Sequence, residues 1–241
     1  VSLRVESLGL VLPRADRQPV RLLDGISFTL GRGEILGIAG RSGAGKSLVA
    51  AALAGILPAG ARRAGRITVD GQAPRPRDIA LAPQRLDALD PLAPIGRQLR
   101  RLARGRRDPG GFLDHVGLSR NVARLYPHML SGGMARRALL ATSLASGADW
   151  IVADEPTVGL DPDAADHVMS LLGRLAQDGR GFVVVSHDLT RLTRISDRVL
   201  ILENGHPVEI APADAFTGDG TALSTVFSRT LWRAQLPDTV C

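Results

Sequence analysis

Cysteine is nearly missing from this 241-residue chain: its one thiol, Cys241, stands at the last position. A single cysteine closes no internal disulfide and builds no multi-cysteine metal site. Aromatic side chains are sparse as well, at 3%, which withholds the stacking platforms that single-strand nucleic-acid binding requires. No apolar run reaches the roughly 18 to 20 residues of a membrane-spanning helix; the best, residues 48–57, stops at Pro58. The opening Val-Ser-Leu-Arg-Val-Glu sets Arg4 and Glu6 where a secretory signal needs apolar side chains, so the expected compartment is the cytosol. Lysine is the sharpest scarcity. Among 30 Lys and Arg residues, Lys46 alone is a lysine, which makes its position informative.

What is present suits a globular chain. A 44% hydrophobic and 22% charged composition is too apolar for disorder, and this length buries a full core as one large α/β domain. The formal charge is +6, and Arg97, Arg100, Arg101, Arg104, Arg106 and Arg107 crowd one segment. With Leu99 and Leu102 between them at helical spacing, these arginines read first as a solvated helix face.

Hydrophobic patterning divides the chain. Residues 3–12 and 26–30 alternate like antiparallel strands around a polar turn at 14–18. Residues 34–39 form a nearly continuous apolar strand that runs into a glycine loop and then a helix through Leu57. Strands follow at 66–70 and 78–82, with a turn at Asp70-Gly71. Between 85 and 130 the character changes: Pro91, Pro94, Pro109, Gly110 and Gly111 punctuate short amphipathic pieces at 95–102 and 112–116, the pattern of an inserted helical lobe. A helix at 132–146, a strand at 150–153, a helix at 163–177 and strands at 182–186 and 199–202 complete the pattern, and 221–241 show no periodicity. Alternating strands and helices imply a mainly parallel sheet covered on both faces.

The glycine loop reads Gly-Arg-Ser-Gly-Ala-Gly-Lys-Ser over residues 40–47, filling every fixed position of the phosphate-binding P-loop. Gly40, Gly43 and Gly45 permit backbone shapes that bring the N–H groups of the loop, Ser42 and Ala44 included, toward phosphate oxygens at a helix N-terminus. Lys46 supplies a point charge for the β- and γ-phosphates, and the Ser47 hydroxyl is a ligand for Mg²⁺. Such a loop implies nucleotide but leaves kinase, GTPase and motor open.

Downstream, Trp-Ile-Val-Ala-Asp-Glu-Pro places Asp154 and Glu155 at the end of a buried strand. Paired acids there are unfavourable unless a cation or proton compensates them. Asp154 is suited to hold Mg²⁺ through water, and Glu155 to orient or deprotonate an attacking water. About twenty residues ahead of this pair stands Leu-Ser-Gly-Gly-Met, residues 130–134, opening a helix.

With that segment the chain resembles the ABC (ATP-binding cassette) ATPase family. The resemblance covers residues 3–216 and implies a P-loop NTPase core with an N-terminal antiparallel β subdomain and an inserted helical subdomain. In these terms the chain is one domain whose subregions are 1–84, core with the β lobe; 85–147, helical lobe with the signature; 148–220, remaining core; and 221–241, tail. The cofactors implied are ATP and Mg²⁺. Ser131, Gly132 and Gly133 match the signature that one subunit lays over the γ-phosphate held by its partner's P-loop. Gln84 stands where the family keeps a glutamine that touches Mg²⁺ or the water. Asp161 matches the loop that communicates across the dimer, and His187 the histidine that senses γ-phosphate.

Two departures from the family pattern stand out. Residues 12–21 lack the aromatic on which adenine usually stacks, leaving Arg14 or Arg17 to stack by its guanidinium plane. The signature helix reads Met-Ala-Arg-Arg over 134–137, where relatives often carry a glutamine before the last arginine. Residues 46–60, 88–92 and 125–134 are similar to the ATPases of bacterial peptide, nickel and metallophore importers. The absence of a long cysteine-bearing C-terminal extension favours nickel or a metal chelate over oligopeptides. That resemblance implies two membrane permease subunits, an extracytoplasmic binding protein, a second ATPase in a heterodimer before a homodimer, and no direct contact with cargo. It implies a peripheral position on the cytoplasmic face of the bacterial inner membrane. A non-transport cassette acting on nucleic acid is the remoter alternative, supported by the arginine cluster alone.

Overall fold

The computed structural model describes residues 1–14, 17–104 and 108–236; Arg106, Arg107 and Cys241 lie outside the described residues, as do the side chains of Arg14 and Arg17. Two sheets organise the chain. The smaller is antiparallel, with β1 (Ser2–Arg14) between β2 (Arg17–Gly31) and β4 (Arg62–Val69). Beside it stands a six-stranded sheet containing β3 (Ile35–Gly40), β5 (Ile79–Ala82), β6 (Trp150–Asp154), β7 (Gly181–Val185), β8 (Arg198–Glu203) and β9 (His206–Pro212). Its order is β5-β6-β7-β3-β8-β9, parallel throughout except for β9, which returns antiparallel to β8.

The near-continuous apolar runs have a direct cause: successive side chains of a strand point to opposite faces, and both faces here are covered. Ile151 and Ala153, Phe182 and Val184, and Val199 and Ile201 join one core. Their alternates, Trp150 and Val152, Val183 and Val185, and Leu200 and Leu202, join the other. The first core continues into the inserted lobe of α2 (Ile95–Leu102), α3 (Pro109–His115) and α4 (Gly132–Ala145), through Leu99, Leu113 and Ala138. The second lies between the sheet, α1 (Lys46–Leu53) and the antiparallel strands, with Leu3, Ile26 and Val49 in its centre.

α5 (Pro162–Gln177), α6 (Leu189–Thr193) and α7 (Val226–Arg233) complete the element list. Several details differ from the sequence expectation, β4 beginning at Arg62 rather than 66 and α3 at Pro109 rather than 112 among them. α1 stops at Leu53 rather than Leu57, because Gly55 takes a left-handed φ of 73° and ends the helix a turn before Pro58. β2 starts at Arg17, well ahead of the expected strand at 26–30. β9, α6 and α7 are unannounced: α6 is too short to show a period, and β9 is an edge strand largely open to solvent. No helix among the described residues is long and apolar enough to cross a membrane.

Register levels the carboxyl ends of the central strands. Val185 pairs with both Asp154 and Ile38, and Gly40 pairs with Leu202. The loops after β3, β5, β6 and β7 therefore leave the sheet along one edge, where open parallel sheets bind ligands.

Candidate active site

β3 is buried along its whole length and turns at Gly40 into the loop that opens α1. A Cβ on Gly40 would come within 2.3 Å of the backbone oxygen of Leu202, and Gly45 is the second residue that the turn restricts. Its φ is 99°, and a Cβ there would come within 2.8 Å of Leu23 Cδ2. Lys46 is only 8% exposed, and its ammonium curls back on the loop, donating to the carbonyls of Gly40 at 2.9 Å and Arg41 at 3.1 Å. Burial holds the Lys46 pKa below the ordinary lysine value, while the charges of Glu155 and Asp154 oppose that shift.

The two predicted acids end β6 and begin its loop. Asp154 and Glu155 are 8% and 7% exposed. Asp154 Oδ1 accepts a hydrogen bond from Ser47 Oγ at 3.1 Å, joining residues 107 positions apart. Desolvation raises the Asp154 pKa; the neighbouring Glu155 pushes the same way, against the Ser47 hydrogen bond and the charges of Lys46 and Arg136. Glu155 holds a left-handed φ of 47° while its N–H donates to Val185 O at 2.9 Å, so the backbone aims this carboxylate from the strand end. Its Oε2 lies 2.7 Å from His187 Nδ1 and also faces the His187 N–H at 3.4 Å. The His187 side chain is 64% exposed and the Glu155 side chain 9%, so the imidazole covers the acid from the solvent side.

Gln84 follows β5 and joins residues 42–48 and Glu155 around one open pocket of about 330 Å³. The backbone near it is held by a residue to which sequence reasoning assigned no role. Arg136, on the second turn of α4, donates to the carbonyl of Gln84 and, at 3.1 Å, to that of Val158. Burial lowers the Arg136 pKa while Asp154 and Glu155 raise it, so the guanidinium carries positive charge toward the paired acids. Its one visible signal was the arginine standing where relatives often place glutamine.

The predicted residues fall into two groups. Gly43, Ala44, Gly45, Lys46, Ser47, Gln84 and Glu155 line one pocket with Ser42; Gly40, Asp154 and His187 bond directly to members of it. Ser131, Gly132, Gly133 and Asp161 are not among the residues that line it. Ser131 Oγ instead caps α4, accepting from Met134 N at 3.3 Å, and Asp161 Oδ1 caps α5, accepting from Ala164 N at 2.9 Å. A Cβ on Gly132 or Gly133 would meet nothing nearer than 3.8 Å, so the packing within this chain does not require glycine at either position.

The donor set fits a magnesium nucleotide. Ser47, Gln84 and Asp154 offer oxygen only, the preference of a hard cation, and the raised pKa of Asp154 marks a buried charge that a cation would relieve. Among the described residues no three His, Cys, Asp or Glu side chains cluster as a metal cage. A cation here would therefore draw remaining ligands from phosphate and water.

Comparison with known proteins shows the family and the fold. A family model described as ABC transporter matches residues 23–158. The chain is similar to the nickel import ATP-binding protein NikD of Rhodospirillum rubrum, at 33% identity over 87% of each chain. It is also similar to a putative peptide import ATP-binding protein of Brucella abortus, at 32% identity over 86% of this chain and 68% of the other. Among solved structures, a dimeric bacterial ABC transporter cassette superposes with a TM-score of 0.75 at 24% identity, covering 88% of this chain and 98% of that one.

Proposed function

The chain belongs to the ABC transporter family, as an ATPase of its nickel and peptide import branch, and from that premise we propose that it hydrolyses Mg-ATP between two cassettes to drive import of nickel or a metal chelate. The observation that carries this reading is the convergence of a phosphate loop, a hydroxyl bonded to a buried carboxylate, and a second carboxylate bonded to an exposed imidazole.

In the proposed site, Lys46 and the N–H groups of residues 42–47 bind the phosphates, with Gly40 giving the backbone its turn. Ser47, Gln84 and Asp154 would hold Mg²⁺, which would offset phosphate charge. Glu155 accepts the proton of the attacking water or orients it, and His187 keeps the acid turned toward the pocket. Arg136 couples the Gln84 loop to the Val158 turn.

The signature residues supply the reason for two cassettes. Ser131, Gly132 and Gly133 form a helix N-terminus, an intrinsic anion site, with Gly132 exposed and no neighbour of either glycine crowding a Cβ closer than 3.8 Å. That exposed N-terminus suits a γ-phosphate held by a partner's P-loop, and Asp161 at the head of α5 suits communication across the same interface. A heterodimer under two permease subunits, on the cytoplasmic face of the membrane and fed by an extracytoplasmic binding protein, follows from the import branch. Nickel or metal-chelate cargo rests on the likeness to the nickel import protein, and peptide cargo on the likeness to the peptide import protein.

Glu155→Gln tests the chemistry. Removing the acid while keeping its shape lowers ATP turnover by about 10²- to 10³-fold, with ATP binding retained and an ATP-bound dimer accumulating. Turnover equal to wild type would refute the role given to Glu155. Cargo is read by stimulation of ATPase activity in the reconstituted transporter, comparing nickel-loaded with peptide-loaded binding protein.

A further inference from the structure

Residues 221–236, which show no periodicity in the sequence, form a buttress packed behind the active site. Thr225 caps α7 by accepting from Ser228 N at 3.1 Å, and its hydroxyl lies 2.7 Å from that of the fully buried Ser228. The Glu209 carboxylate on β9 accepts from Ser224 N at 2.7 Å and Thr225 N at 3.1 Å. Burial raises the Glu209 pKa, but the hydrogen bonds from Ser224, Ser228 and Thr225 outweigh it and keep the acid below its ordinary value. Along the helix, Trp232 is buried, meets Phe216 edge-on at 5.9 Å and donates from Nε1 to Gly218 O at 3.0 Å. Arg229 and Arg233 donate to the carbonyls of Leu223 and Asp219 at 2.6 and 2.8 Å.

A segment so anchored presents its remaining side chains in fixed places, and two of these meet the catalytic loops. The Phe227 ring lies 5.4 Å from the guanidinium carbon of Arg41 in the P-loop, a cation–π distance. Beyond the helix, Gln235 spans the loop that carries the imidazole. Its Oε1 accepts from Leu189 N at 2.7 Å, and its Nε2 donates to His187 O. The amide thereby satisfies one otherwise unpaired N–H at the start of α6 and the carbonyl of His187 itself. From the other side, the His187 ring meets Glu155 Oε2 at 2.7 Å.

We propose that Gln235 is a positioning residue for the reaction, holding the His187 main chain so that the imidazole stays against Glu155. This rests on the roles given above to Glu155 and His187. The two-sided amide matters because it grips both ends of a three-residue loop. An apolar side chain offers neither bond, and a carboxylate keeps the acceptor for Leu189 while setting oxygen against the His187 carbonyl.

The test compares wild type, Gln235→Ala and Gln235→Glu. In the nucleotide-free chain, amide hydrogen exchange at Leu189 accelerates about tenfold in Gln235→Ala with the thermal midpoint little changed. Gln235→Glu keeps that protection. In the assembled transporter, both variants lower kcat by about fivefold to tenfold with KM for ATP unchanged. In a His187→Ala background, Gln235→Ala then produces no further loss. Wild-type kcat in Gln235→Ala would overturn the proposal, as would an undiminished loss in the His187→Ala background, since that is the mark of a purely structural role. If the wild-type transporter fails to hydrolyse ATP, the functional reading falls instead. Leu189 exchange still separates the two outcomes, because unchanged protection in Gln235→Ala removes the grip itself.

Discussion

Around Lys46 the chain satisfies itself, whereas around Gly133 it leaves its groups turned outward. The lysine is buried, bonded to two carbonyls of its own loop, and lines one open pocket with Ser47, Gln84 and Glu155. At the signature, Ser131 caps its helix, and a Cβ on Gly132 or Gly133 would meet Leu160 or Ala164 only at ordinary contact distances of 3.8 and 3.9 Å. Both regions are helix N-termini, the first capped by Gly45 and the second beginning with Gly132 and Gly133 after Ser131, and both suit an anion. They differ in what demands the glycine. Gly45 is required by its own fold, through a φ of 99° and contact with Leu23. Gly132 and Gly133 sit in ordinary helical backbone with room for a methyl group, so the packing of this chain does not itself demand glycine at either position. Under the proposed function, the first region is a half-site filled within the chain and the second a half-site lent to a partner cassette.

The largest effect expected of this contrast is on binding. Lys46→Ala removes a buried ammonium from the filled half and lowers ATP affinity about 10- to 100-fold, as loss of a charge-assisted hydrogen bond does. Equilibrium binding of a fluorescent nucleotide to the isolated chain reads this directly, and unaltered affinity would contradict the loop assignment. The two glycines give the next effect, with opposite signs. Gly45→Ala forces a non-glycine residue into the left-handed region and destabilises the chain by about 1 to 3 kcal/mol. Gly133→Ala lies within a helix and raises stability by up to about 1 kcal/mol, yet lowers the ATPase activity of the assembled dimer. Paired urea melts and turnover assays give both signs; a Gly133→Ala variant with full activity would end the case for a lent half-site.

The smallest effect concerns pH. The folded-state pKa of Asp154 is raised, so its contribution to stability is complete below its unfolded value and is lost as pH rises through the raised one. Asp154→Asn, which cannot ionise, therefore gains stability relative to wild type as the nucleotide-free proteins are melted from about pH 4 to about pH 7. A constant difference in thermal midpoint across that range would show that burial of this carboxylate carries no penalty.

Much of this was legible before any coordinates because it is local. A P-loop is eight consecutive residues whose glycines and lysine act through their own backbone, and the Asp-Glu pair declares itself by following a buried strand. The alternation of strand and helix likewise announced the parallel sheet. α6 escaped because five residues show no helical period, and β9 because an exposed edge strand needs no apolar alternation. α7 escaped because eight residues with four apolar positions, Val226, Phe227, Leu231 and Trp232, set no clear stripe, and its start at Thr225 and its Trp232 are held by Glu209 and Gly218 from elsewhere in the chain. Arg136 was visible as a departure, but its reach to two separate loops was not.

Sequence was sufficient for the chemical groups and their order: which residue bears the ammonium, which strand ends in two acids, and which serine and glycines open a helix. Those properties belong to neighbouring residues and to periodicity along the backbone. The pairing of Ser47 with Asp154, the seat of His187 against Glu155 and the grip of Gln235 on the loop behind it came from folding. They join positions 107, 32 and 48 residues apart. Such distances close through sheet register and core packing, and neither is written in any single stretch of the chain.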